Sequence, residues 1–357
     1  MTSSSPLLVS QDDRLVADLQ RLAAAAGTAL DVAAEPAAVL ASWPVAPVVL
    51  VGADQVTVLA GSRPARRDRV HVVSSGPLPD GLFRGALALG AEGVVELPAG
   101  DAWLVETLTD SVDGAAREGR VVTVLGGSGG VGATMFAAAL ATVGAADGHP
   151  VTLVDADPLG AGVERVVGLD DTSGAGWESL VESTGRFGSR SLRGALPQRD
   201  ALAVLGWGAG ARIAPGPETA REVISAARRG SGLVVVDAPR HLTPMATEIL
   251  VRSDQAVVVT GLTLPAVAAA ARVVAAVRPV VPAVHLVARG PASALDPTDV
   301  ARALKLPLAA AMRDQRRLDE AVDLGLGPVR ARRGPLARAA RCVLTRLLDD
   351  GAPGITR

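Results

Sequence analysis

"VVTVLGGSGGVGATMFAAALA", residues 121–141, joins an apolar run to a helix-patterned one through five glycines in seven residues. The first run has no polar alternation, as in a strand buried on both faces of a parallel sheet. The second reads as a helix from residue 133 onward. Glycines at such a junction let successive backbone N–H groups turn inward at a helix N-terminus, which is the construction of an anion seat. Gly127 and Gly132 meet the spacing G-x-x-x-x-G, but the Lys-Ser/Thr pair that should follow is Ala133 and Thr134. Taken alone, the stretch is either a phosphate loop or a tight turn.

Further along the chain, "VTLVDADP" ends a strand with Asp155 and Asp157, and "GLVVVDAP" ends another with Asp237. Strands "ALAVLGW", "QAVVVTG" and "AVHLVARG" alternate with helix-like segments at 217–229, 243–252 and 264–277, and terminal helices are expected around 297–304, 314–323 and 335–348. The pattern predicts a mostly parallel α/β sheet covered by helices. Its ligands belong beyond the carboxyl ends of the strands, where the glycine-rich loop falls. Residues 6–110 carry a separate βα pattern of about five strands. The expected division is therefore a first domain at 1–110, a linker at 111–120, a second domain at 121–350 and a tail at 351–357.

The 357 residues include 35 basic and 37 acidic side chains. That balance exerts no global pull toward nucleic acid or anionic lipid. Cys342 is the one cysteine and the four histidines lack metal-ligand spacing, so neither a disulfide scaffold nor a His/Cys metal centre is expected. "MTSSSPLLVSQDD" is not a secretory signal, and the most apolar window is broken by Arg272, Arg278 and prolines. A cytoplasmic protein is expected. Lys305 is the only lysine and tyrosine is absent, which reads as GC-rich coding bias.

The order and spacing of the loop, "DADP" and "VVDAP" resemble the MinD/ParA group of deviant phosphate-loop ATPases. That group's loop, K-G-G-x-G-K-[ST], aligns with Ser128, Gly129, Gly130, Val131, Gly132, Ala133 and Thr134. The stretches 202–239 and 247–274, with "ALKLPLAAAMRDQRRLDEAVDLGLGP", look like the CpaE/TadZ branch, which places a receiver-like domain ahead of the ATPase domain. Among its members, the actinobacterial CpaE-like septum site-determining proteins are the nearest in kind. The resemblance implies a receiver-like, flavodoxin-like front domain and a MinD-like second domain. It also implies a role in placing the division septum or the pilus or secretion machinery through protein partners, with a homodimer as the family's assembly.

By that resemblance Gly127, Ser128, Gly129, Gly130, Val131, Gly132, Ala133 and Thr134 surround nucleotide phosphates. Thr134, Asp157 and Asp237 hold Mg²⁺, and Asp157 orients the attacking water. The departures are specific. Ser128 and Ala133 stand where the family has its two lysines, each worth about 1.5–3 kcal/mol as a charge-assisted phosphate contact. ATP or ADP with Mg²⁺ is thus expected to bind weakly or not at all, and autonomous hydrolysis is not expected. Ala288 stands at the family's adenine-reading asparagine.

The front domain departs likewise. Ser10 and Gln11 occupy the acidic pair of phosphorylated receivers, with Asp12 and Asp13 just beyond. Val51 or Gly52 takes the acceptor position, with Asp54 displaced, and Leu97 stands for the lysine before Pro98. A pseudo-receiver that binds protein is expected.

From Leu324 to Leu348 arginines 330, 332, 333, 338, 341 and 346 accumulate without an acidic residue. Leu336, Ala340, Val343, Leu344 and Leu347 share a helical face. That face either docks on the sheet or lies on the inner face of the membrane as a peripheral contact. Two alternatives stay open: an active ATPase whose missing charge comes from arginine or a partner, and a DNA-binding regulator. Nucleic acid is not the expected partner.

Overall fold

Short β-branched runs form the front sheet: β1 (Leu7–Val9), β2 (Asp31–Ala33), β3 (Val49–Gly52), β4 (Val70–Ser74) and β5 (Gly93–Glu96). All are parallel, in the order β2-β1-β3-β4-β5. The computed structural model describes residues 5–77, 79–112, 119–181, 187–208, 214–291, 293–329 and 333–349. It divides into two units, Met1–Ala116 and Arg117–Arg357. The helix Asp101–Val112 runs two residues into the stretch expected as linker. Residues 113–118, the tail 351–357, Arg330 and Arg332 lie outside the described residues.

The receiver-like site is closed by its own side chains. Asp54, just past β3, accepts hydrogen bonds from Ser10 Oγ at 2.9 Å, the Gln11 N–H at 2.7 Å and Gln55 Nε2 at 3.0 Å. Gly52 faces this cluster, and a β-carbon there would collide with Asp54 Oδ1 and lie 2.8 Å from Ser10 Oγ. Asp12 caps the helix Asp13–Ala25 by accepting from the N–H groups of Arg14 and Leu15. Leu97 is buried where a receiver needs a cation.

The second unit holds β6 (Arg120–Gly126), β7 (Val151–Asp155), β8 (Gln198–Arg199), β9 (Leu202–Leu205), β10 (Leu233–Ala238), β11 (Gln255–Gly261), β12 (Val284–Arg289) and β13 (Leu308–Met312). Their order is β13-β12-β11-β6-β10-β7-β9-β8, parallel throughout except for the β8–β9 pair. β6 is central, flanked by β10 and β11. Its side chains alternate between two cores. Val122 and Val124 pack with Phe136 and Leu140 of the helix Ala133–Ala146, whereas Val121 packs with the helix Pro217–Gly230 and Leu125 with the helix Leu264–Val277. Fully burying each such side chain contributes roughly 1.5–3 kcal/mol, so the first strand and the helix after its loop are fixed on both faces.

One strand and three short helices were not foreseen from the sequence. β13 reads "LAAAM", whose alanines favour helix intrinsically, and it becomes a strand by pairing with β12 at the sheet edge. The weakly patterned stretch 158–200 contains three short helices, Val163–Val166, Trp177–Val181 and Ser189–Ala195.

The last helix, Pro335–Asp349, resolves the two readings of its apolar stripe. Leu336, Ala340, Val343, Leu344 and Leu347 are buried in the core they share with Phe136 and Leu140. A membrane would therefore meet only the arginine side of this helix. Part of that side is also engaged: Arg341 pairs with Asp147 at 3.5 Å and Arg346 donates to the Leu308 carbonyl at 2.8 Å. Among the described residues no helix is long and apolar enough to cross a membrane.

With Val51 or Gly52 at the acceptor position and Asp54 bonded back to Ser10, Gln11 and Gln55, the front domain is expected to stay unmodified. Incubation of the whole protein with a small acyl phosphate and Mg²⁺, followed by intact-mass measurement, should show no phosphoryl adduct on residues 5–112.

Candidate functional site

Gly126 ends β6, and the chain turns over Gly127–Gly132 into the helix Ala133–Ala146. Gly130 and Gly132 take positive φ, 70° and 80°, which side-chain-bearing residues rarely adopt. The eight loop residues do not share one role. Gly127 is buried: its N–H donates to the Val259 carbonyl at 2.7 Å, and a β-carbon would lie 2.7 Å from Ala270 Cβ and 3.1 Å from Thr260 Oγ1. Ser128, Gly130, Val131, Gly132, Ala133 and Thr134 line a pocket of about 550 Å³, while Gly129 is an exposed rim residue. Ser128 and Ala133 bring no charge to it.

Besides the loop, the same pocket is lined by Asp157, Asp237, Arg240, Arg289, Leu318 and Asp319. The parallel register brings them together: Asp155 and Asp237 are paired neighbours on β7 and β10, and β10 also pairs with β6. Asp237 is 3% exposed and accepts a hydrogen bond from the Thr134 hydroxyl. Burial pushes its carboxyl up to about 7, the Thr134 bond opposes this, and the nearby charges of Asp155 and Asp157 add to it.

Asp155 has a different task. Its carboxylate accepts the N–H groups of Asp157 at 2.9 Å and Val163 at 3.1 Å, and its carbonyl accepts Trp177 Nε1 at 2.7 Å. It organises the following loop while burial raises its own carboxyl to about 6. Asp157 accepts the Leu159 N–H at 3.0 Å and keeps its carboxylate at the pocket wall.

Whether nucleotide and Mg²⁺ suit these residues is a question of donor chemistry. The N–H groups of a glycine-rich turn at a helix start suit phosphate oxygens. A hydroxyl beside two carboxylates suits a hard cation that takes its other ligands from phosphate and water. Among the described residues no group of three or more His, Cys, Asp or Glu side chains is placed to hold a metal unaided. The fit is thus to Mg²⁺ arriving with a polyphosphate: Thr134, Asp237 and Asp157 would hold the ion, which would offset their charge and polarise the phosphates.

The sequence reading missed Arg240 and Arg289. Arg240 follows the "VVDAP" segment by one residue and Arg289 follows Ala288, so both sit at carboxyl ends of strands. That position was the available signal.

Comparison with known proteins identifies the family and the fold. The family described as "Rv3660c-like, CheY-like N-terminal domain" matches residues 9–120. Protein Rv3660c of Mycobacterium tuberculosis is 37% identical over 284 residues, covering 78% of this chain and 79% of that protein. Among solved structures, MinD of Pyrococcus horikoshii OT3 in complex with Mg-ADP superposes with a TM-score of 0.56 at 20% identity, over 66% of this chain and 99% of its own. The MinC:MinD cell division complex of Aquifex aeolicus gives 0.56 at 20% identity, over 67% and 98%. The second unit has the MinD fold, and a CheY-like domain precedes it.

Two substitutions probe this site. Asp237 holds its proton to higher pH folded than unfolded, so its ionisation destabilises the empty protein as pH rises from about 4 to about 7. Asp237→Asn should therefore stabilise the protein in chelator by roughly 1–3 kcal/mol at about pH 8, with the gain vanishing near pH 4, as read by thermal unfolding. Gly127→Ala should lower stability by about 1–3 kcal/mol in denaturant titration, since the added carbon has no room.

Proposed function

This chain belongs to the Rv3660c-like family, and from that premise we propose that it is a spatial regulator of the CpaE/MinD kind. It positions the division septum or the pilus or secretion machinery through protein contacts. The observation that supports this most is the combination in one pocket of a kept phosphate loop, Thr134, Asp157 and Asp237 with the uncharged Ser128 and Ala133. Such a site favours a ligand that is held over one that is rapidly turned over, because stabilising charge on the transferred phosphoryl group is most of the catalysis in sites of this type. ATP or ADP with Mg²⁺ is read here as a switching or structural ligand.

The division of the chain into a pseudo-receiver at 1–110 and a MinD/CpaE-like domain at 121–350 supports two kinds of protein contact. The front domain, with its acceptor pocket filled by Asp54, serves as a fixed binding module. The second domain supplies the nucleotide-dependent surface, and a homodimer is the assembly proposed for it. In the MinC:MinD complex of Aquifex aeolicus a MinD is bound to another protein, which supports protein partners for this fold. The proposed location is cytoplasmic, and any contact with the inner face of the membrane would use the arginine side of the last helix.

One observation favours a second reading, an ATPase that turns over: Asp157, matched to the water-orienting position, stands at the wall of the same pocket. The readings separate on two measurements. On ours, phosphate release from saturating Mg-ATP stays at background and Asp157→Ala leaves it there, while a fluorescent fusion gathers at septa or at assembly sites of surface machinery. Turnover abolished by Asp157→Ala would establish the ATPase. An even distribution, with normal division and surface assembly in a deletion strain, would overturn the regulator.

A further inference from the structure

Ser128 and Ala133 lack the positive charge that a phosphate loop needs, yet the glycine next to each has a guanidinium beside it. Arg289 lies across the helix end of the loop. Its Nη1 donates to the Val131 carbonyl at 3.0 Å, its Nε pairs with Asp314 at 2.8 Å, and its side chain is only 26% exposed. A β-carbon on Gly132, the residue before Ala133, would collide with that Nη1. Arg240 flanks the opening of the loop: a β-carbon on Gly129, the residue after Ser128, would lie 3.6 Å from its Nη1. Both arginines line the pocket that Thr134, Asp157 and Asp237 also line.

We propose that Arg289 and Arg240 are the phosphate-binding cations of this site, standing in space for the charges missing at Ala133 and Ser128, so that it binds a nucleoside di- or triphosphate through guanidinium groups. This rests on the reading of the loop as a nucleotide site and says which residues make that site work.

The chemistry favours the arrangement. A guanidinium presents paired N–H donors that match two phosphate oxygens at once, is weakly hydrated and stays charged at every relevant pH. The two groups are prepared differently. Arg289 is held on the loop by Val131 and Asp314, so it meets a phosphate already in place. Arg240 is exposed and, among the described residues, has no carboxylate partner, so it can close on a ligand from the rim. Between them they return two positive charges to a pocket lined by Asp157, Asp237 and Asp319.

Titration calorimetry of the full-length protein with Mg-ADP, Mg-ATP and inorganic pyrophosphate tests this directly. Arg289→Ala and Arg240→Ala should each weaken binding about tenfold to hundredfold, with Arg272→Ala, an exposed arginine on the helix Leu264–Val277, leaving affinity unchanged. Adding Ala133→Lys to Arg289→Ala should recover part of the loss. Because Arg289 also ties the loop to Asp314, the milder Arg289→Gln, confirmed as folded by circular dichroism, is measured beside it, and Arg240 provides an independent variant on the surface. Wild-type binding that both arginine variants retain in full would overturn this assignment and leave the nucleotide reading standing. No wild-type binding of any of the three ligands would overturn both.

Discussion

The parallel run of β6, β7, β10 and β12 governs the second domain. Strands that run the same way deliver their carboxyl ends to one edge of the sheet, and whatever follows each strand is placed beside whatever follows its neighbours. Here that edge collects the glycine loop, Asp157, Asp237 and its neighbour Arg240, and Arg289, from segments spread between residues 127 and 289. The two-sided core on β6 makes the edge rigid, and Gly127, wedged against Thr260 and Ala270, leaves the loop no slack at its base.

Electrostatics then sets what the edge tolerates. Burial raises the proton affinity of both Asp155 and Asp237, with Glu164 and Asp157 adding to it at Asp155, and Asp155 and Asp157 adding to it at Asp237. Backbone N–H groups relieve Asp155, while Asp237 depends on the Thr134 hydroxyl and on any cation that comes to the pocket. On the proposed reading, a ligand that brings positive charge to these carboxylates would relieve their repulsion. The same ligand must bring negative charge to the loop, and a polyphosphate carrying a divalent ion does both.

Much of this was legible in the sequence where the signal is local. The apolar strand cores, the loop between strand and helix, and the aspartates closing "DADP" and "VVDAP" each lie within a few residues of the feature that betrays them. The buried stripe of the last helix was equally readable from its period. What escaped depended on register across the sheet. Arg240 and Arg289 look like ordinary surface arginines in a chain with 35 basic residues, and only the pairing of β12 with β11, and of β11 with β6, carries Arg289 to Val131. β13 escaped because its alanines are strand-forming only beside β12, and the return of Asp54 to Ser10 because two loops had to meet first.

The bond network at Asp54 has a consequence for what the front domain can communicate. Receiver domains work as memory: a covalent mark shifts them between two populated forms, and partners read which form is present. On the proposed reading, Asp54, bonded back to Ser10, Gln11 and Gln55, leaves no seat for that mark, and the domain would offer its partners one surface. A partner docking on such a domain would register how much of this protein is present.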